Sequence, residues 1–140
     1  MKPLYLLDTC IISEPVKVNP NTALIAKLKK HEGLTALPSV VRHEMLYGTQ
    51  RLSEGKRRDR LFNYLVQVII PLFPVMPYDE HAAWVHADLR AELEKKGKTL
   101  PFVDGIIASI AIANNMILIT RNTNDFVNIQ HLMLENWFSD

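Results

Sequence analysis

A short apolar run near the N-terminus constrains the fold more than any other part of the chain. Residues 4–7 are apolar, follow Pro3 and end at an acidic residue, Asp8. Short runs that do not alternate with polar residues are typical of buried parallel strands. In open α/β folds, ligands bind in the crevice beyond the carboxyl ends of such strands. The sequence therefore places Asp8 at a ligand-binding edge, with capping of the next helix as the alternative role.

Apolar runs and helical stripes alternate along the rest of the chain. Further short strands are predicted around residues 34–37, 75–78, 116–120 and 132–134, separated by segments with apolar residues at helical spacing. Strands that alternate with helices imply right-handed crossovers and a mainly parallel sheet with helices on both faces. Because the 140 residues include no linker-like stretch, we expect one α/β domain over residues 1–140, with a five-stranded sheet.

Capping residues predict where individual helices begin. Asn19 and Pro20 supply a cap and a first-turn proline for the helix before the second strand. Asp79 is the expected N-cap of a long helix that ends at Gly97. After the fourth strand, residues 121–125 are predicted to form a loop.

The helix predicted over residues 57–70 is more apolar than a surface helix needs to be. Phe62, Val66 and Ile70 extend its apolar surface beyond the stripe that faces the core. Large exposed apolar patches normally mark interfaces. The sequence therefore predicts a homodimer or another protein partner at this helix.

Four acidic residues fall where this fold brings its strand ends together. Asp8 follows strand one, Glu44 lies on the helix after strand two, Asp104 begins the helix before strand four, and Asp125 follows strand four. Three of these positions share one edge of the sheet, whereas Glu44 lies about a turn into its helix and must reach back. Each acid alone also fits a solvated or capping role. Their shared edge favours a site.

Several carboxylates in one crevice repel each other, and this repulsion raises their pKa values unless a cation neutralises it. Oxygen ligands without Cys or His suit a hard ion, so the sequence predicts Mg²⁺, with Mn²⁺ able to substitute. Such an ion can activate a water molecule and polarise a phosphoryl oxygen. The predicted activity is hydrolysis of a phosphodiester, with the four acids as catalytic and metal-binding residues.

Five motifs occur in order along nearly the whole chain. They are Leu-Leu-Asp-Thr at 6–9, Ser-Val-Val at 39–41 with Glu44 and Leu-Tyr-Gly at 46–48, Asp104 with Ile-Ile-Ala at 106–108, Thr-Arg-Asn-Thr-Asn-Asp-Phe at 120–126, and Glu-Asn-Trp at 135–137. In this order they resemble the PIN domains of the VapC and FitB toxins. Cys10 stands where that family commonly has Asn.

The resemblance implies a Mg²⁺- or Mn²⁺-dependent ribonuclease, the toxin of a type II toxin–antitoxin system. Such toxins are usually dimeric and are neutralised by a small antitoxin, so the expected partners are RNA, a cognate antitoxin and a second copy of the chain. The implied acidic quartet is Asp8, Glu44, Asp104 and Asp125. Some relatives place the fourth acid where Asn122 stands, and the sequence leaves both positions open.

Three hydroxyl residues stand beside the acids in the sequence. Thr9, Ser39 and Thr120 are candidates to support the carboxylates by hydrogen bonds, and a plain turn or capping role fits them equally well. Asn122 is a further candidate for such a supporting role. The five histidines show no metal-ligand spacing and are predicted to be ordinary surface or interface residues.

Charge and cysteine content bound the cellular setting. Lys and Arg total 16 against 15 Asp and Glu, so net charge does not indicate a nucleic-acid partner. Local basic clusters are candidates for RNA phosphate contacts, with the cluster at 95–98 favoured over the one at 56–60 because it leads to Asp104. A single cysteine and the lack of a membrane-spanning or signal-peptide stretch predict a cytoplasmic protein.

Other functions fit the sequence less well or remain open. Haloacid dehalogenase-type enzymes need a second acid two residues after the first, where this chain has Cys10. Response-regulator receivers need an acidic pair ahead of the first strand, and Lys2 and Pro3 provide none. The open alternative is a PIN-like partner-binding subunit of a DNA-binding repressor complex, with little or no nuclease activity.

Overall fold

The central strand of the sheet, β1, lies between strands that come from distant parts of the chain. The computed structural model describes residues 2–138. It contains a fully parallel sheet in the order β3-β2-β1-β4-β5, formed by β1 (Tyr5–Leu7), β2 (Thr35–Pro38), β3 (Val75–Met76), β4 (Ile117–Ile119) and β5 (Met133–Glu135). The predicted parallel five-stranded α/β sheet is confirmed.

The order of the strands creates a topological switch point beside β1. The chain first adds β2 and β3 on one side and then crosses to β4 and β5 on the other. Leu6, Leu7 and Leu118 are fully buried, as expected for strands covered on both faces. The crevice at the carboxyl ends of β1 and β4 therefore lies next to Asp8, where this fold class binds ligands.

Seven α-helices cover the sheet within the described residues. They are α1 (Thr9–Ile12), α2 (Thr22–Lys30), α3 (Ser39–Gln50), α4 (Lys56–Tyr64), α5 (Ile70–Leu72), α6 (Glu80–Lys95) and α7 (Phe102–Ala113). Short 3₁₀ turns occupy Glu14–Val16 and Thr123–Phe126. No helix in this part of the chain is long and apolar enough to cross a membrane.

The start of α2 differs from the prediction. Asn21, not Asn19, caps the helix, and its side chain accepts a hydrogen bond of 3.0 Å from the Leu24 amide. The buried Glu14 carboxylate accepts the Asn21 amide at 2.9 Å. This bond holds the Asn21 amide outside the helix, so helical geometry begins only at Thr22. Asp79, by contrast, caps α6 as predicted and accepts from the Ala82 amide at 3.0 Å.

The loop predicted at 121–125 is also partly regular. The 3₁₀ turn Thr123–Phe126 falls there. The Phe126 side chain is buried in the core, and this burial draws the segment into a tight turn against the sheet.

The helix predicted over 57–70 is confirmed in outline but is not regular. A π-helical turn, Leu65–Ile69, lies between α4 and α5, and the Ile70 amide bonds to the Leu65 carbonyl. Pro71 has no amide hydrogen, and its ring would collide with a carbonyl of a regular helix, which accounts for the wider turn. Phe62 and Val66 are 47% and 43% exposed, so the apolar surface is present as predicted.

Replacing Asn21 with Ala tests the revised start of α2. The change removes the side-chain oxygen that caps the helix. It also removes the side-chain nitrogen, Nδ2, which donates a hydrogen bond of 3.1 Å to the Phe138 carbonyl. We expect the free energy of unfolding to fall by about 1–2 kcal/mol in urea denaturation. Asn19→Ala is the matched control at an exposed position and should change it by less than about 0.5 kcal/mol. Equal losses in the two variants would contradict the assignment of the cap.

Candidate active site

The carboxylate of Asp8 is held at the gap between β1 and β4. One oxygen, Oδ1, accepts the Thr9 amide at 2.8 Å, and Oδ2 accepts the Thr120 hydroxyl at 2.9 Å. The Asp8 amide bonds to the Ile119 carbonyl at 3.0 Å, which ties the residue to the end of β4. Asp8 therefore caps α1, the alternative role considered for it, and its carboxylate also lies at the carboxyl edge of the sheet.

Thr120 connects Asp8 to the loop that follows β4. Its fully buried hydroxyl accepts the Asn122 amide at 3.1 Å while it donates to Asp8. The Cys10 sulfur lies 4.0 Å from the same oxygen. Burial raises the pKa of the Cys10 thiol, and the nearby Asp8 charge acts in the same direction. Cys10 is therefore a neutral neighbour of the site.

Glu44 reaches back from α3 towards the strand ends, as the sequence predicted. Its Oε2 accepts a hydrogen bond of 3.0 Å from the hydroxyl of Thr9. Thr9 thus contacts two acids, because its amide bonds to Asp8 and its hydroxyl bonds to Glu44. This single residue fixes the two carboxylates relative to each other.

Asp104 lies in the first turn of α7, and the other three acids act on it electrostatically. Burial raises the pKa of Asp104, and the charges of Asp8, Asp125 and Glu44 raise it further, in that order. The crevice thus brings together the fields of four carboxylates that are far apart in the sequence.

The fourth acidic position is more open to solvent. Asp125 is exposed within the 3₁₀ turn, and its amide bonds to the Asn122 carbonyl at 3.0 Å. Asn122 is also exposed and contacts Thr120 through its backbone. Of the two, Asp125 contributes a negative charge that acts on Asp104. Ser39 begins α3, and its side chain makes no hydrogen bond among residues 2–138.

The donor set suits a hard cation that keeps several of its waters. Along the described residues, none of the four acids forms a salt bridge, and no three Asp, Glu, His or Cys side chains are grouped closely enough to hold an ion by themselves. Mg²⁺ normally binds through one or two carboxylates and completes its shell with water. Oxygen ligands, unpaired negative charge and an open crevice therefore fit Mg²⁺ or Mn²⁺ better than a soft metal.

The prediction that all five histidines are ordinary surface or interface residues is wrong for His86. This residue is 2% exposed and bonds through Nδ1 to the Tyr78 hydroxyl at 2.8 Å. It shares a helical face with Ala82 and Leu93, which are both buried. Their spacing of four and seven residues from His86 was the sequence signal for its burial.

The comparisons with known proteins agree with this fold. Residues 5–132 match the model of the PIN domain, and the chain belongs to the PIN domain family. The resemblance to VapC and FitB toxins drawn from the motifs is thereby confirmed.

Individual relatives match over almost their full length. Toxin FitB of Neisseria gonorrhoeae is 31% identical, covering 96% of this chain and 99% of the relative. Ribonuclease VapC2 of Rickettsia felis is 32% identical, covering 96% of this chain and 98% of the relative. A solved structure of FitAB bound to a DNA fragment superposes with a TM-score of 0.88 at 31% identity, covering 98% of this chain and 97% of the matched one.

The repulsion at Asp104 predicts a pH-dependent stability in metal-free protein. Its pKa in the folded state lies above the ordinary value of 3.8. The protonated Asp104 carboxyl therefore contributes to the free energy of unfolding below pH 3.8. This contribution is lost as the pH rises through the pKa that Asp104 has in the folded protein. Asn stays neutral, so Asp104→Asn should melt at a higher temperature than wild type at pH 7 in chelator, and the difference should shrink towards pH 4.

Differential scanning fluorimetry across this pH range measures the effect. Asp88→Asn, at an exposed position on α6, is the matched control and should follow the wild-type pH profile. An Asp104→Asn protein that melts at or below the wild-type temperature at pH 7 would show that the carboxylate is not destabilised in the crevice.

Proposed function

We propose that this protein is a cytoplasmic, metal-dependent ribonuclease and the toxin of a type II toxin–antitoxin system. One observation carries the proposal: burial and then the charges of Asp8, Asp125 and Glu44, from three other segments of the chain, raise the pKa of Asp104, and none of the four acids has a cationic partner within the described chain. Relatives named toxin FitB and ribonuclease VapC2 support the RNA-cleaving role.

Asp8 and Asp104 would hold the cation, with Glu44 and Asp125 completing the negative field. When bound, Mg²⁺ or Mn²⁺ would lower the pKa of a coordinated water and polarise a phosphoryl oxygen. Its positive charge would replace the proton that Asp104 tends to retain. Thr9 and Thr120 keep the Asp8 carboxylate aimed at the crevice by hydrogen bonds to both of its oxygens.

Glu44 is positioned to move a proton near the scissile bond. Thr9 occupies its Oε2 atom, and within residues 2–138 its Oε1 atom accepts no hydrogen bond. This oxygen can accept a proton from an attacking water molecule. In this proposal Glu44 would transfer the proton, and Asp8 and Asp104 would bind the cation.

The basic segment before α7 is the proposed contact for the RNA backbone. Lys96 and Lys98 are both exposed. The Lys96 Nζ atom lies 3.4 Å from Glu92 Oε1, and the Lys98 Nζ atom donates a hydrogen bond of 2.9 Å to Asn128 Oδ1. Phosphate contacts of this kind supply affinity that does not depend on sequence. Because the segment leads directly into the Asp104 helix, it would bring the backbone to the acidic crevice.

The exposed apolar surface on α4, the π-helical turn and α5 is the proposed protein interface. Phe62, Val66, Ile70 and Leu72 are between 43% and 47% exposed. We assign this surface to homodimer formation, and we propose a small cognate antitoxin as a further partner.

Light scattering should give the mass of a dimer for wild type and a lower mass for Val66→Asp, whereas a monomeric wild type would overturn the assignment.

A DNA-binding role is the second candidate. It is favoured by the structural match to FitAB, which was solved on a DNA fragment. In this role the chain would be the partner-binding subunit of a repressor complex, and the antitoxin would supply the contacts to DNA. The two functions are compatible, and only the nuclease role requires the acidic crevice.

Single-turnover RNA cleavage, with and without Mn²⁺, tests the nuclease proposal. Asp8→Asn and Asp104→Asn preserve side-chain size but remove charge, so each should slow cleavage by about 100-fold or more while the protein stays folded. Glu44→Gln should be nearly as damaging. Asp88→Asn serves again as the control at a distant surface position and should cleave at the wild-type rate.

The same assay distinguishes the two candidates for the fourth acidic position. Asp125→Ala should reduce the rate more than Asn122→Ala, because only Asp125 adds charge to the crevice. The reverse order would move the position to Asn122. Wild-type rates in all of the acidic variants, after removal of contaminating nucleases, would leave the repressor role as the function.

A further inference from the structure

A buried histidine on α6 is not used by the chemistry proposed above. The Nδ1 atom of His86 lies 2.8 Å from the Tyr78 hydroxyl, while Nε2 is buried and has no hydrogen-bond partner among residues 2–138. Burial lowers the pKa of His86, and the Arg90 charge adds to the effect, so the ring is neutral. An unpartnered buried nitrogen costs free energy that an apolar side chain in the same place would not.

The unpartnered edge of the ring lies against the backbone of α7. A Cβ atom built on Gly105 would overlap Nε2 and would lie 3.0 Å from Cδ2 of His86. At Gly48, in the last turn of α3, a Cβ atom would meet nothing within 4 Å. A side chain at Gly105 is therefore excluded by the imidazole of His86. A glycine within a helix does not in general face such a steric limit, as Gly48 shows.

Gly105 follows Asp104 directly and belongs to the same first turn. Its amide bonds to the Pro101 carbonyl at 2.9 Å, the hydrogen bond that starts α7. The Phe102 ring, at the beginning of this turn, lies 4.9 Å from the His86 ring. The imidazole thus contacts α7 through residues on both sides of Asp104 in the sequence.

We propose that His86 is a positioning residue for Asp104. Its imidazole, oriented by Tyr78, sets the depth at which the first turn of α7 packs on α6 and so fixes the Asp104 carboxylate relative to the other three acids. This inference rests on the nuclease function proposed above. It adds a part of α6 to the machinery, although α6 itself carries none of the four acids.

The contact predicts non-additive effects in a double-mutant cycle. Gly105→Ala forces the imidazole and α7 apart, so Mn²⁺ binding measured by calorimetry should weaken by about 10- to 100-fold, as for other residues that orient metal ligands. His86→Ala should weaken it less. The double variant should bind Mn²⁺ more tightly than Gly105→Ala alone, because removal of the ring makes room for the new methyl group.

Cleavage kinetics separate positioning from simple packing. In Gly105→Ala the rate at saturating RNA and Mn²⁺ should fall while the KM for RNA stays near wild type, since the proposed RNA contacts, Lys96 and Lys98, precede this turn of α7. Tyr78→Phe removes only the hydroxyl that orients the ring and should give a smaller loss in the same direction. His81→Ala, at an exposed position on α6, is the matched control and should leave Mn²⁺ affinity and rate unchanged.

Folded variants decide the inference. If Gly105→Ala and His86→Ala both keep wild-type Mn²⁺ affinity and cleavage rate, His86 is only a packing residue. A double variant no better than Gly105→Ala would also overturn the proposal. If Gly105→Ala does not fold, unchanged Mn²⁺ affinity in both His86→Ala and Tyr78→Phe would overturn it. Failure of wild type itself to bind Mn²⁺ and cut RNA would instead reject the nuclease function, and this inference with it.

Discussion

Repulsion between carboxylates at the end of β1 is the constraint on which the rest of the structure depends. Burial would by itself disfavour the charge on Asp104, and three further negative charges add to that cost. Hydrogen bonds from Thr9 and Thr120 offset part of the cost at Asp8 by donating to both carboxylate oxygens. Among the described residues, no Lys, Arg or His forms a salt bridge with these carboxylates, so their negative charge is left unpaired.

The scaffold holds these charges together by burying apolar surface around them. The buried strands β1 and β4 place Asp8 and Thr120 at the same depth, and α7 packs fully buried small residues such as Ala108 and Ala111 against the core. Small residues allow close approach between helices, and the same close approach brings Gly105 onto the ring of His86. The contacts that pack α7 against the core and α6 therefore also determine where Asp104 lies.

The parallel sheet and the shared edge at its strand ends were predictable because both follow from strands that alternate with helices along the chain. Parallel strands with helical crossovers bring their carboxyl ends to one edge, so a residue such as Asp8 could be placed without knowing any tertiary contact. Glu44 could be placed near the same edge for a related reason. The helical rise per residue gives its distance from the start of the helix, and this distance is within reach of its side chain.

Two features were mispredicted, each for a different reason. The cap of α2 moved to Asn21 because the buried Glu14 carboxylate captures its amide, and no local pattern reports that bond. His86 was placed among the surface or interface residues because the histidines show no metal-ligand spacing, although its spacing from Ala82 already put it on the buried face. The contact between His86 and α7 depends on the absence of a side chain at Gly105, and the spacing of residues along either helix does not report it.

Anomalous scattering from crystals grown with Mn²⁺ tests the central claim most directly, because it locates the cation without reference to activity. The account predicts a peak in the crevice, with carboxylate oxygens of Asp8 and Asp104 in its coordination shell at about 2.1 Å, and loss of that peak in crystals of Asp104→Asn. A wild-type crystal with no peak beside Asp8, or with Mn²⁺ bound only at another site, would contradict it.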